Sequence, residues 1–408
     1  MEKEAFYRHA RQDITGPLAG VRVLDATTAW SGPMAGCLLA DMGADVVRVA
    51  PPGDPGLRWS PFLPGTDERS CAEETVNRNK RSVAVDLRQA EGVAVFMALV
   101  RGADIVIENF RPGTLDGWGA GYAACAAEKP DIIFVSISGW GQFGPLHDRP
   151  GYDPAALAYS GWMSLNGSRD GEPVKAPTFL TDDLTGVHAA LAAVSALHYR
   201  NQTGEGQHVD VALLDTILFQ SNGLLTQGHA GLPMQRWGAE IAGFVPTNLY
   251  PCTDGYIYIA IALDRHWAAL CAAMARPELA DAAGYRTNPE RVENRAAVNA
   301  AVSAWTSGQS RADVVAALDA AGVVCAPMND YATAARDPHV HARDMLQETT
   351  LSDGSSVPLT GPAAKFSRTP TRVRHGAPVP GTHTDAVLAE AGIDEAERAR
   401  LRAAGVIG

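Results

Sequence analysis

The chain has 408 residues and carries 46 acidic against 34 basic side chains, a formal charge of −12, so the basic footprint of a general nucleic-acid binder is excluded. With 46% apolar and 20% charged residues it can bury a large core and is no disordered tail, and its length allows two or three domains of ~150 residues. No apolar run approaches the ~18 residues of a membrane span, and the opening MEKEAFYRHARQD lacks the apolar centre of a signal peptide.

Residues 1–20 read as a polar lead. GVRVLDAT then predicts a buried strand, MAGCLLADMGA a helix ending at Gly43, and DVVRVAPP a second strand stopped by two prolines. Residues 53–75 read as loop, RSVAVDL as a third strand, EGVAVFMALVRGA as a helix, and DIVIENF and DIIFVSIS as further strands. Strands apolar on both faces, alternating with helices, predict a parallel sheet covered by helices. LTGVHAALAAVSALHYR predicts the clearest helix, with Leu184, Val187, Leu191, Val194 and Leu197 as its apolar stripe and Asp182 or Asp183 as its cap. QHVDVALLDTILFQ fits strand or helix. From about residue 225 to 345 the pattern changes, with GYIYIAIA as a strand and RHWAALCAAMA as a helix, so a smaller α+β domain is placed there. Residues 1–224 form the first part of a large α/β domain, and 346–408 return to it, ending in a short charged amphipathic helix.

Six scattered cysteines form no CxxC pair and no cluster with histidine, which predicts reduced thiols in a cytosolic protein and no metal site. Gly139 to Gly144 matches G-x-G-x-x-G after a strand, but Pro145 follows and no helix opens there, so the phosphate would lack its helix N-terminus. Asn77-Arg78-Asn79-Lys80-Arg81 is a basic cluster in an acidic chain, either a solvated loop or a phosphate clamp. Asn109-Phe110-Arg111 follows a strand, where α/β ligands bind. Asp182 and Asp183 read either as a helix cap with a solvated neighbour or as a carboxylate nucleophile at the positive end of a helix. The local pattern leaves both open.

Taken in order, PLAGVRVLDAT, SGPMAG, NRNKRSVAVDL, IENFRPG, SISGWGQFGP, RPGYD, the Asp182–Gly186 segment, RNQTGEGQHVDVAL, DGYIYIAI and GTHTDAVLAEAG resemble the class III CoA-transferases. This family includes carnitine and bile-acid CoA-transferases and the α-methylacyl-CoA racemases. The resemblance spans residues 17–408. It implies a Rossmann-like large domain, a smaller domain, and two identical chains interlocked as a homodimer. It also implies a catalytic aspartate four residues before Gly186, which is Asp182, with Asp183 as the alternative. That carboxylate would take the acyl group of an acyl-CoA as a mixed anhydride, form an aspartyl-CoA thioester, and pass CoA to a carboxylic acid acceptor. CoA is then part of the substrate, and no resident cofactor is expected. Contact with CoA or the acyl group is implied for Trp30, Ser31, Arg48, Lys80, Asn109, Phe110, Arg111 and Tyr152.

The departures from the family matter. Ala50-Pro51-Pro52 replaces an acid-base-proline run, so one basic contact is missing, and Arg58 is a candidate substitute. Trp30 stands where formyl-CoA transferases carry glutamine, which argues against oxalate or formate as substrates and for a reshaped acyl pocket. Tyr152 stands where the racemases carry a proton-transferring histidine, and a phenol of pKa about 10 is a poor base near neutrality. The expected activity is therefore CoA transfer, ahead of an acyl-CoA isomerase and of a non-catalytic CoA-binding subunit.

Overall fold

The computed structural model describes all 408 residues. Six strands form one parallel sheet: β1 (Arg22–Ala26), β2 (Asp45–Ala50), β3 (Arg81–Ala84), β4 (Ile105–Glu108), β5 (Ile133–Ser138) and β6 (Gln207–Ala212). Their order is β3-β2-β1-β4-β5-β6. Side chains alternate across a strand, so each strand feeds two cores. Leu24, Val47, Val106 and Phe134 point to one, and Val23, Val46, Ile105 and Ile133 to the other. Helix α1 (Ser31–Asp41) and helix α2 (Ala90–Arg101) are crossovers on opposite faces, Leu39 joining the second core and Phe96 the first. Helix α3 (Asp153–Tyr159), helix α4 (Leu180–Thr203) and helix α5 (Leu213–Phe219) complete the second face, where α1 and α4 pack together. The ambiguous QHVDVALLDTILFQ is both readings in turn: β6, then α5. Cys71–Asn77 is helical, where a loop was expected, because Ser70 caps it by accepting from the Ala72 amide.

One expectation about α4 fails and another holds only in part, since Leu197 is buried and Val194 packs on the core. It begins at Leu180 after an N-terminal Phe179 that makes no side-chain cap, so Asp182 and Asp183 lie inside the first turn and do not cap it. Its buried face is Thr185, Gly186, Ala189, Ala190, Ala193, Ala196 and Leu197, whereas Val187 and Leu191 are exposed. Small residues bring the α4 backbone close to α1, and a Cβ on Gly186 would sit 2.7 Å from Met34 Cγ and 3.1 Å from the Ser31 carbonyl oxygen.

The chain divides into two compact units. The first holds residues 1–162, 175–230 and 338–408, and includes the parallel sheet and a two-stranded antiparallel hairpin. In it the C-terminal return closes on the sheet edge: Ile407 bridges to Val85, and the His383 ring accepts from the Ser82 amide through Nδ1. The second unit holds residues 163–174 and 231–337. It has an antiparallel sheet of β7 (Thr247–Cys252), β8 (Gly255–Ala260) and β9 (Val324–Pro327) over a core that includes Ile257, Trp267, Val298 and Leu318. Residues 163–174, read from sequence as part of the large domain, belong here because the Arg236 guanidinium donates to the carbonyls of Ser164, Ser168 and Gly171. Strands β10 (Leu346–Thr350) and β11 (Ser356–Thr360) pair antiparallel.

Candidate active site

Strand order reverses between β1 and β4, and in such sheets the crevice beyond the carboxyl ends at the reversal binds ligands. Here the two loops at that point are tied together. Asn109 accepts from the Thr28 amide at 2.8 Å and donates to the Thr28 carbonyl at 2.7 Å. Ala29 takes a left-handed φ of 60°, and Trp30 and Ser31 follow as α1 opens.

Helix α4 brings its first turn to the same place. The Asp182 carboxylate accepts from the Ser31 hydroxyl and lines a cavity of about 170 Å³ with Trp30, Asn109, Phe110, Arg111, His147, Arg149 and Tyr152. Asp183 instead accepts from the Trp30 indole at 2.6 Å. The cap that α4 lacks in its own sequence comes from α3: Asp153 Oδ1 accepts from the Thr181 amide at 2.6 Å and from the Asp182 amide at 3.4 Å. Burial, then the charge of Asp153, push Asp182 up to about 7, with Asp183 adding to the rise and Ser31 opposing it. Asp183 is also raised, mainly by burial, with the Trp30 bond opposing. Trp30 stacks on Trp59 at 6.3 Å and meets Phe179 at 5.0 Å, forming an aromatic wall beside the two carboxylates.

A second cavity of about 300 Å³ lies beyond the ends of β1, β2 and β3, lined by Arg48, Pro51, Leu57, Asn77, Arg88 and Trp118 among others. Thr28, Ala29 and Phe110 line both cavities, so the two adjoin. Arg48 Nε and Asn77 Nδ2 are buried on the wall of this second cavity without hydrogen-bond partners. Unsatisfied buried donors are uncommon in a protein and invite a ligand acceptor.

The sequence-derived residues divide. Trp30, Ser31, Asn109, Phe110, Arg111, Tyr152 and Asp182 meet at the first cavity, and Arg48 lines the second. Lys80 reaches neither. It is 0% exposed, and its three protons go to Asp25 at 2.6 Å, the Pro33 carbonyl at 2.8 Å and Asn77 at 2.9 Å. The basic cluster around it is therefore neither solvated loop nor open clamp: Arg78 and Asn79 both bond Asp41. Lys80 donates to the Asn77 side-chain oxygen, while the Asn77 amide nitrogen stays unpartnered at the cavity wall. Arg48 is largely compensated by Asp54 at 2.6 Å and Glu73 at 3.4 Å. Arg58 is exposed and paired with Glu68. Arg111 is exposed and forms no ion pair, which leaves its charge free for a ligand. Asp153 and Arg149 were missed in sequence, although both lie in or beside the RPGYD motif.

The chain belongs to CoA-transferase family III, whose sequence profile matches residues 18–384. It is 36% identical over 384 residues to the succinate–glutarate CoA-transferase of Agrobacterium fabrum, covering 92% of this chain and 95% of that protein. It is 37% identical over 383 residues to the succinyl-CoA–L-malate CoA-transferase beta subunit of Chloroflexus aurantiacus, covering 92% and 94% of the two. The crystal structure of a CaiB/BaiF family protein from Brucella suis superposes with a TM-score of 0.82 at 34% identity, covering 92% of this chain and all of that one.

Proposed function

We propose that the protein moves CoA between a dicarboxylic acyl-CoA and a dicarboxylic acid, with Asp182 as the nucleophile. The observation that carries this reading is the position of the Asp182 carboxylate in a small cavity that also presents Arg111, Arg149 and His147. A carboxylate acceptor needs cations near the nucleophile, and a second carboxylate at the far end of the acyl chain needs another. The relatives' names, succinate–glutarate and succinyl-CoA–malate CoA-transferases, fit the same substrate class.

In the first step an Asp182 oxygen bonds to the thioester carbonyl carbon, the C–S bond breaks, and the electron pair leaves on the CoA sulfur. The thiolate then attacks the aspartyl carbonyl and frees the donor acid, leaving an aspartyl-CoA thioester. The acceptor acid reverses both steps. The first turn of α1 has no side-chain cap, so the amides of Ser31 and Gly32 are suited to hold the oxyanion of each tetrahedral intermediate. The adjoining cavity suits the nucleotide of CoA, with Trp118 and Phe110 as apolar walls, Asn77 and Arg48 as donors, and Arg88 at the rim.

The exposed Val187 and Leu191 on α4, with Phe219 and Leu225 beyond it, support burial against a second copy of the chain, as in an interlocked homodimer. No helix is long and apolar enough to cross a membrane. All six cysteines are unpaired, which supports work in the reducing cytoplasm. The test is a mass-spectrometric assay of succinyl-CoA against mono- and dicarboxylic acids. Transfer to dicarboxylates, with a covalent CoA adduct on Asp182 trapped from the donor alone, is the expected result. Transfer confined to monocarboxylates would remove the dicarboxylate reading.

A further inference from the structure

Three carboxylates converge at the head of α4, and they are not equivalent. Asp182 has the Ser31 hydroxyl and Asp183 has the Trp30 indole. Asp153 is 1% exposed and forms no ion pair. Its Oδ1 is engaged by the amides of Thr181 and Asp182, and its Oδ2 is buried without a partner. An anion held in this way is costly to keep and is normally removed or compensated. Nothing in the fold requires a charge there, because a neutral amide oxygen would accept from the same two backbone groups.

We propose that Asp153 is a positioning residue for the Asp182 nucleophile, fixing the first turn of α4 through two amides and destabilising the free Asp182 carboxylate with its own buried charge. This rests on Asp182 being the nucleophile. When Asp182 is acylated, its negative charge leaves for the CoA sulfur and the repulsion from Asp153 ends. The repulsion is thus present in the free enzyme and absent after acyl transfer, so relieving it favours the forward step. The same repulsion makes Asp182 more basic than an ordinary carboxylate, and so a stronger nucleophile, while still ionised in good part near neutrality.

On α4 Asp183 follows Asp182, and α1, which packs against α4, brings Ser31. Tyr152, Arg111, His147 and Arg149 line the cavity from loops. The groups that shift Asp182 are the two neighbouring aspartates and the Ser31 hydroxyl.

The test compares Asp153→Asn, which keeps an acceptor for the amides and removes the charge, with Asp153→Ala, which removes both. Acyl-enzyme formation from succinyl-CoA is followed by intact mass against pH. In the unmodified protein the rate should rise with a midpoint near pH 7. Asp153→Asn should move that midpoint down by at least about one unit and lower the plateau roughly tenfold, and Asp153→Ala should lower it further. An unshifted midpoint in Asp153→Asn overturns the proposal. So does failure of that variant to fold, since neutralisation should relieve the site. Thermal melts at pH 8 give a readout independent of turnover. Asp182→Asn should raise the melting temperature in the unmodified chain and raise it less in the Asp153→Asn chain, whereas equal gains overturn the proposal. An unmodified protein that never acylates would instead sink the CoA-transfer reading, leaving the melts to judge the charge coupling alone.

Discussion

The Trp30 indole donates to Asp183 at 2.6 Å, and this one bond separates two adjacent carboxylates that sequence treats alike. Asp183 is occupied by the aromatic wall, whereas Asp182 accepts a hydroxyl that a substrate can replace and lines the cavity. Asp182→Ala should therefore lower turnover by about a thousandfold or more while CoA affinity stays within a factor of a few. Asp183→Asn, which can still accept from the indole, should cost no more than about tenfold. Initial rates and a CoA titration decide it, and a reversed ranking would make Asp183 the nucleophile.

Arg111 and Lys80 should part company. Arg111→Ala removes an exposed, unpaired charge from the cavity rim and should weaken substrate binding roughly ten- to hundredfold with little change in stability. Lys80→Ala leaves Asp25 as an uncompensated buried anion and should destabilise the fold by about 3–5 kcal/mol. Melting curves beside CoA titrations separate the two effects. A Lys80→Ala protein of normal stability that binds CoA weakly would restore direct contact.

Why Arg111 and Lys80 looked alike in sequence is instructive. Arg111 follows a strand and Lys80 precedes one, both carry charge, and a motif reports position along the chain but not which partner waits across the fold. Asp25 and Asn77, which bury Lys80, are 55 and 3 residues away. The inner strands were legible because they are largely apolar on both faces, so periodicity and physical burial agree, whereas the edge strand β6 carries Gln207, His208 and Asp210 and was not. Helix α4 misled because Val187 and Leu191, two of its large apolar residues, are exposed: close approach to α1 selects glycine and alanine. Asp153 was invisible because it caps a helix that begins 27 residues later, and capping rules look only at neighbours.

Gly186 tests that close approach. Gly186→Ala places a methyl group 2.7 Å from Met34 Cγ and 3.1 Å from a backbone oxygen of Ser31, the residue that bonds Asp182. Helix propensity favours alanine by about 1 kcal/mol, but overpacking costs about 1–3 kcal/mol and separates α4 from α1. The expected outcome is a modest loss of stability with a larger loss of turnover. Gain of both stability and activity would show that the helices have slack.

Tyr152 bears on reaction class. It is 72% exposed at the cavity mouth, in the position where the racemases of this family carry histidine. The protein should not exchange the α-proton of a 2-methylacyl-CoA in deuterium oxide at a rate comparable with CoA transfer. Rapid enzyme-dependent deuterium incorporation would move the chain to the isomerase branch.

Glu108 predicts how stability depends on pH. It ends β4, is buried, and accepts from the Phe110 amide at 2.8 Å. Burial pushes its carboxyl up to about 7, against the opposing bonds from Ser136 and Phe110, with Asp116 and Asp210 adding to the rise. His208, bonded to Ser136 at 2.9 Å, is itself lowered by burial and offers no compensating charge at neutral pH. Between the ordinary glutamate pKa of about 4.3 and the folded value, the native state holds a proton that the unfolded chain has lost. Stability should therefore fall as pH rises through this window and level off above it, by at most about 4 kcal/mol from this group. Glu108→Gln keeps an acceptor for the Phe110 amide and cannot ionise. Its melting temperature should match the unmodified protein near pH 5 and exceed it by several degrees at pH 8. An equal gain at both pH values would mean that the advantage comes from packing and not from the buried charge.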